Sequence, residues 1–405
     1  MPARPLIAIS VPSGPDGLSA LIGPLRAALT GAGPAITPIP ALGATTSPQY
    51  VAQLIAATRP GDPNQPLESD AVAVVLATSG STQNPKGVLH SSVTLRALSE
   101  SVQGGCCPQW ISALPITSMG GFNVVLRALE TGLDPLPLDS LGGAQPFTPA
   151  GFISVVQLAT HRSSDIRVSL VAAQVRRLLS DPAGVDALLQ CSQILVGGGP
   201  LPAVTANAAR VAGIVLTTTY GATETAGGCV FNSQPLPGVT ITIDPDNSEI
   251  SLAGDMVALG YRCEAELSAQ RFARGSYRTG DLGTFTDRLT ISGRIDDVIT
   301  INGVNVSVNA VEEILNNSDG VLSAAVVFAP DAGDEDQLFA VIQPTANLDL
   351  GSLGIALRSA VHLGLGKAAV PRYFAFLDAI PTLPNNKVDR RSIIHLTRDG
   401  ALWQR

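Results

Sequence analysis

The sequence predicts an α/β protein in which a large N-terminal domain with parallel sheets and a small β-rich subdomain precedes a small α+β domain. Three observations lead there. Apolar strand-like runs alternate with helical patterns from residue 6 to about 217, as in strands joined by crossover helices. Between about 239 and 259 short apolar runs are separated by Asp244-Pro245-Asp246-Asn247 and Leu252-Ala253-Gly254-Asp255, the punctuation of hairpins. The 405 residues suffice for a large core and two domains.

The elements follow in order. Residues 6–9 predict a first strand, too short an apolar stretch for a signal-peptide core or a membrane span. A helical pattern at 18–29, a buried strand at 72–77, a helical pattern at 95–102 and a strand at 110–114 come next. An apolar strand is expected at 211–216. A boundary near Gly293-Arg294-Ile295-Asp296-Asp297 divides the chain into domains 1–293 and 294–405. Beyond it the pattern reads strand (298–301), turn (Asn302-Gly303), helix (307–315), strands (322–328 and 338–342), helix (353–363) and strand (373–377). There is no internal repeat.

With 45% hydrophobic and 14% charged residues the chain is globular rather than disordered. A net charge of -8 and a pI near 5.0 give no general footprint for nucleic acid or an anionic membrane, so any polyanion must be met by a built site. The five cysteines, at 106, 107, 191, 229 and 263, show neither metal-ligand spacing nor a disulfide framework, and a reduced cytoplasm is the expected setting.

The most informative segment is Ala77-Thr78-Ser79-Gly80-Ser81-Thr82-Gln83-Asn84-Pro85-Lys86-Gly87. Hydroxyls and glycine-freed backbone N–H groups can cradle phosphate oxygens, and one lysine adds positive charge. A flexible surface turn has the same composition. The order is not G-x-x-x-x-G-K-[ST], which excludes the Walker A reading. Thr217-Thr218-Thr219-Tyr220-Gly221-Ala222-Thr223-Glu224-Thr225 offers an aromatic face for a base and a hard carboxylate for magnesium. Upstream stands Val196-Gly197-Gly198-Gly199-Pro200-Leu201. Later come Tyr277-Arg278-Thr279-Gly280-Asp281, Ser292-Gly293-Arg294 and Pro384-Asn385-Asn386-Lys387-Val388-Asp389-Arg390.

Taken in order from residue 77 to 390, these segments resemble the signatures of the adenylate-forming superfamily of acyl-CoA and aryl-CoA synthetases. The resemblance implies a two-step reaction: a carboxylate and MgATP give an acyl-adenylate and pyrophosphate, then the CoA thiol displaces AMP. It implies an ATP site of Thr78, Ser79, Gly80, Ser81, Thr82, Lys86, Gly198, Gly199, Tyr220, Gly221, Asp281 and Arg294, with Tyr220 stacked on adenine and Asp281 on the ribose hydroxyls. Thr223 would contact phosphate, Glu224 would hold Mg²⁺, and Lys387 would bridge the attacking carboxylate and the α-phosphate, a role that suits a flexible ammonium. The small C-terminal domain would rotate between steps about Asp296, and Gly303 would line the pantetheine tunnel.

With 76 residues before the phosphate loop, the chain further resembles short bacterial o-succinylbenzoate:CoA ligases of menaquinone biosynthesis. Trp110-Ile111-Ser112-Ala113-Leu114-Pro115, Asn123-Val124-Val125-Leu126-Arg127-Ala128-Leu129, Val171-Ala172-Ala173-Gln174-Val175-Arg176-Arg177-Leu178-Leu179 and Glu224-Thr225-Ala226-Gly227-Gly228-Cys229-Val230-Phe231 carry that resemblance. It implies that Arg127 binds the second carboxylate of the acid. The residues alone also permit an Arg127–Glu130 pair on a solvated helix face, opposite a stripe of Phe122, Val125, Leu126 and Leu129.

Two positions depart from the family. Gln83 replaces a loop glycine, and Ser118 stands where relatives have a histidine bordering the carboxylate. They motivate another aryl or acyl acid, passed to CoA or to a carrier protein, as the alternative substrate, and a non-catalytic nucleotide-binding relative as the alternative class. Expected partners are a small carboxylic acid, ATP and CoA, with no nucleic acid and no membrane span; a homo-oligomer stays open.

Overall fold

The computed structural model describes residues 4–43, 46–78, 85–103, 107–143, 145–301, 304–329, 337–345, 348–382 and 388–396. The chain forms two compact units: Met1–Leu201, Thr205–Thr242 and Ser251–Thr279, and then Pro202–Val204, Ile243–Ile250 and Gly280–Arg405.

The first unit contains two sheets with the expected parallel core. In one, Leu6–Val11, Ala35–Pro40 and Val72–Ala77 run parallel, Gly87–Ser91 returns antiparallel, and the short strand Gly260–Tyr261 pairs antiparallel with it. Val72 to Leu76 are all fully buried, as a strand covered on both faces requires. The helix Asp16–Thr30 buries Leu18, Leu21, Leu25 and Leu29, one stripe at helical spacing.

The second sheet has seven strands. Leu216–Ala222, Gln193–Val196, Ile166–Leu170, Gln109–Ser112 and Leu136–Pro137 lie parallel, and Gly227–Phe231 and Gln234–Pro235 extend it antiparallel beyond Leu216–Ala222. The helices Pro149–Thr160, Ala172–Leu179 and Pro182–Leu189 cover one face through Phe152, Val156, Val175, Leu178 and Leu188. On the other face Trp110 and Leu195 pack against Val124 and Ala128 of the helix Met119–Thr131.

Two expected boundaries are corrected. Residue 211 ends the helix Ala203–Val211, and the strand begins only at Leu216, so the second signature is itself a strand. The β-branched Thr217 and Thr218 pair with Leu195 and Val196, while the alanine-rich stretch before them favours helix. The helical pattern at 95–102 is two helices, Ser92–Arg96 and Ser99–Gln103, the first started early by a capping box between Ser91 and Thr94.

In the second unit Val298–Ile301 and Val304–Ser307 form a hairpin, and Val321–Ala329, Gln337–Pro344 and Tyr373–Phe376 form a three-stranded sheet. The sheet alternates cleanly. Val326, Leu338, Ala340 and Phe374 pack with Val311 and Leu315 of the helix Val308–Asn316 and with Leu357 and Val361 of the helix Leu350–Leu365. Val327, Phe339 and Val341 pack with Ile393 of the helix Arg390–Leu396. The expected turn Asn302-Gly303 lies outside the described residues. Among the described residues no helix is long and apolar enough to cross a membrane.

His90, in the strand Gly87–Ser91, is fully buried, and burial lowers its pKa from 6.5 to about 4. A weak interaction with the Thr223 backbone acts in the opposite sense, and Nε2 has no hydrogen bond of normal geometry. Above about pH 6.5 the imidazole is neutral folded and unfolded. Between that pH and about 4 the unfolded chain binds the extra proton, so stability falls as pH falls, on the order of 3 kcal/mol across the window. Urea unfolding of His90→Gln should therefore show a shallower loss of stability between pH 7 and 5 than the native protein.

Candidate active site

The phosphate-loop signature leaves the C-terminal end of Val72–Ala77 and re-enters the same sheet at Gly87–Ser91, where Ala77 pairs with Gly87. The Thr78 N–H donates to the Lys86 carbonyl (2.8 Å) and the Lys86 N–H to Thr78 Oγ1 (3.0 Å), which closes the loop at its base. Ser79, Gly80, Ser81, Thr82 and Gln83 lie outside the described residues. Lys86 Nζ sits 5.4 Å from the centroid of the Tyr261 ring, a cation–π contact.

The second signature occupies the strand Leu216–Ala222 and the turn Thr223–Thr225. It lies beside the glycine segment, because Val196 pairs with Thr218 and the Thr219 hydroxyl donates to the Val196 carbonyl (3.3 Å). Gly198 and Gly199 thus leave one strand next to Tyr220 and Gly221 at the carboxyl ends of parallel strands, where α/β sheets place ligands. Two glycines are sterically required. A Cβ on Gly221 would stand 2.0 Å from the Gly227 carbonyl oxygen, and one on Gly227, whose φ is +97°, would stand 2.3 Å from Asn123 Nδ2. That amide donates to the Ala226 carbonyl (2.7 Å) and ties the turn to the helix Met119–Thr131.

Glu224 is buried. Its backbone carbonyl accepts from the Ala258 N–H (2.8 Å), and its Oε1 accepts from the Tyr261 hydroxyl (2.8 Å). Burial, with the nearby Glu224 charge and the neighbouring phenol, raises the pKa of both Tyr261 and Tyr277 well above the ordinary tyrosine value and holds both phenols neutral.

Arg127 departs from the solvated pair that its sequence permits. Only 7% of it is exposed, and its guanidinium lies 5.5 Å from the centroid of the Trp110 ring. Glu130 is paired with Arg96 (3.3 Å). Among the described residues the Arg127 guanidinium makes no hydrogen bond, and burial, with Arg167 adding repulsion against an attraction from Glu130, lowers its pKa to about 10. The helix is buried nearly all round, so its polar side faces the second sheet instead of water. Ser118 is the N-cap residue of the same helix, with its hydroxyl donating to the Pro115 carbonyl (2.7 Å).

The second unit carries the other segments. Asp281 and Arg294 are cross-strand neighbours in Ser276–Phe285 and Leu289–Arg294, and their side chains form an ion pair at 2.7 Å. Asp296 lies in the turn Ile295–Asp297. Gly303 and Lys387 lie outside the described residues. Around Lys387, Thr382 pairs with Val388, Asp389 accepts from the Ser392 N–H (3.1 Å) at the start of the last helix, and Arg390 pairs with Glu312 (2.9 Å).

Sequence reasoning did not single out Tyr261, His90 or Asn123. Tyr261 follows a glycine in a two-residue strand with no periodic run to mark it, and Asn123 reads as one more polar helix position. Their partners are 37 and 103 residues away in the chain.

Residues 34–261 match the family described as AMP-binding enzyme. The chain is 32% identical over 397 residues to a probable 2-succinylbenzoate–CoA ligase of Mycobacterium tuberculosis, covering 96% of this chain and 97% of that one. It is 27% identical over 359 residues to a 2-succinylbenzoate–CoA ligase of Geobacillus kaustophilus, covering 81% and 70% of the two. The fold matches that of O-succinylbenzoate Coenzyme A Synthetase (MenE) from Bacillus subtilis in complex with ATP and magnesium ion, with a TM-score of 0.74, 21% identity and coverage of 96% and 89%.

The contact between Gly221 and the Gly227 carbonyl gives a direct test. Gly221→Ala should destabilise the first unit by about 1–3 kcal/mol through overpacking at the turn. Thermal unfolding and nucleotide binding should both register the change.

Proposed function

Because the chain belongs to the family of AMP-binding enzymes, we propose that it is an AMP-forming 2-succinylbenzoate–CoA ligase, which gives 2-succinylbenzoyl-CoA for menaquinone biosynthesis. Support comes from the nearly full-length relative and, within the site, from Arg127. A guanidinium that is buried yet makes no hydrogen bond to the described residues is costly unless an anion completes it. The second carboxylate of this acid supplies that anion with bidentate, charge-assisted bonds.

In the first step a carboxylate oxygen of the acid attacks the α-phosphorus of ATP, a P–O bond forms, and pyrophosphate leaves. In the second the CoA sulfur attacks the acyl carbon and AMP leaves with the bonding electrons. Thr78 to Thr82 and Lys86 would hold the phosphates, with Thr223 beside them. Gly198, Gly199, Tyr220 and Gly221 would enclose adenine, and Asp281 with Arg294 would take the ribose. Lys387 would neutralise charge between the attacking carboxylate and the α-phosphate. Residues 294–405 would turn about Asp296 between steps, bringing Gly303 to the pantetheine arm, and the work would be done in the cytoplasm.

Magnesium fits the residues present. The described residues hold no group of three or more His, Cys, Asp or Glu that could bind a metal by themselves, and one carboxylate with substrate phosphates is the usual setting of this ion. Glu224 would hold it, and bound there the ion would draw charge off the phosphate oxygens.

Ser118 favours a second reading. Its short hydroxyl is spent on the Pro115 carbonyl, in place of the imidazole that the resemblance leads one to expect, which suits an acid of different shape handled by the same machinery.

Pyrophosphate release from MgATP with 2-succinylbenzoate, with and without CoA, followed by mass detection of the thioester, tests the reading. Formation of that thioester is the expected result; thioesters only of unrelated acids would overturn it. Arg127→Met should lower kcat/KM for this acid about ten- to hundredfold, the size of a hydrogen bond to a charged group, while leaving ATP binding unchanged.

A further inference from the structure

We infer that Tyr261, backed by Tyr277, is a positioning residue that fixes the Glu224 carboxylate for MgATP. The inference deepens the proposed function and rests on the reading of Glu224 as the magnesium-holding side chain. Three observations carry it.

The first is the chain of hydroxyls. Tyr261 donates to Glu224 Oε1 at 2.8 Å, and Tyr277 acts on the Tyr261 hydroxyl electrostatically. Both phenols and the carboxylate are buried. The Tyr277 hydroxyl favours negative charge on the Tyr261 oxygen, which makes Tyr261 the better donor to Glu224. Among the described residues no second donor reaches the carboxylate, so Oε2 is left for a cation.

The second is rigidity. Tyr261 pairs with Val88 and Gly260 with Leu89, while the Leu259 N–H donates to the Leu89 carbonyl (2.9 Å) and the Arg262 N–H to the Gly87 carbonyl (2.7 Å). Arg262, itself buried, donates to the Thr58, Gln65 and Pro66 carbonyls and pairs with Glu68 at 3.0 Å. The Tyr261 ring meets Phe272 edge-on at 5.1 Å, and Phe272 lies 5.1 Å from Tyr277. Each ring is held by its neighbours, so the hydroxyls have one direction in which to point.

The third is connection. The strand that carries Tyr261 pairs with the strand that begins one residue after Lys86, and the Lys86 ammonium lies over the Tyr261 ring at 5.4 Å. One side chain therefore touches the phosphate-loop lysine with its face and the carboxylate with its hydroxyl. It couples the two groups that meet the phosphates.

The test is calorimetric binding of ATP with Mg²⁺ and in EDTA to the native protein and to Tyr261→Phe, which keeps the ring and removes the hydroxyl. The expected result is MgATP affinity lowered about tenfold with metal-free ATP affinity unchanged, a raised half-saturating Mg²⁺ concentration for adenylation, and an unfolding temperature close to native. Tyr277→Phe, the check should Tyr261→Phe not fold, should lose about two- to threefold in the same magnesium-dependent way. Equal losses with and without Mg²⁺, or no loss in either, would overturn the inference. Glu224→Gln separates it from its premise: if that variant keeps the full magnesium advantage, the role of Glu224 fails. If it loses the advantage while both tyrosine variants keep it, only the role of Tyr261 fails.

Discussion

Burial of ionised side chains is the constraint around which the first unit is organised. Glu224 and Arg127 are both largely withdrawn from water, and a charge in such a place is tolerated only where partners offset its lost hydration, a cost of several kcal/mol per ion in proteins, ~20 kcal/mol in the idealised limit. Glu224 has a direct partner in the Tyr261 hydroxyl. Arg127 has the face of Trp110, which attracts a cation without filling any of its five donor positions. The two charges thus stand in different conditions, one with a hydrogen-bond partner and one whose donors are unused among the described residues.

Satisfied and unsatisfied groups follow the topology. Parallel strands end together, and the segments after Gln193–Val196 and Leu216–Ala222 bring polar groups side by side without breaking the ladder behind them. Close backbone approach then limits the choice of residue. Gly221 and Gly227 lie in such a contact, and Asn123 fixes the same turn from the neighbouring helix. The result is a stiff frame around a turn that carries Thr223 and Glu224.

The described residues that flank the two lysine-bearing segments are paired. Thr78 and Lys86 exchange two hydrogen bonds, and Thr382 pairs with Val388. In the last signature, Asp389 and Arg390 are engaged in structure: one caps the final helix and the other pairs with Glu312.

The sequence by itself determined the α/β class and marked the segments proposed as the site, because strand and helix periods and clusters of glycine and hydroxyl residues are local properties of the chain. It placed the strands at 72–77 and 298–301 within the residues that form them, and it missed the start of Leu216–Ala222, where the polar threonines conceal a strand that pairing with Gln193–Val196 decides. Arg127 shows the limit most clearly. At the level of one helix its position reads as solvated, and only the packing of that helix against Trp110 makes it buried. The partnership of Tyr261 with Glu224 and of Asn123 with Ala226, and the burial of His90, likewise belonged to the tertiary structure alone, since each depends on residues that no local pattern relates, and burial and hydrogen-bond geometry exist only once the chain has brought them together.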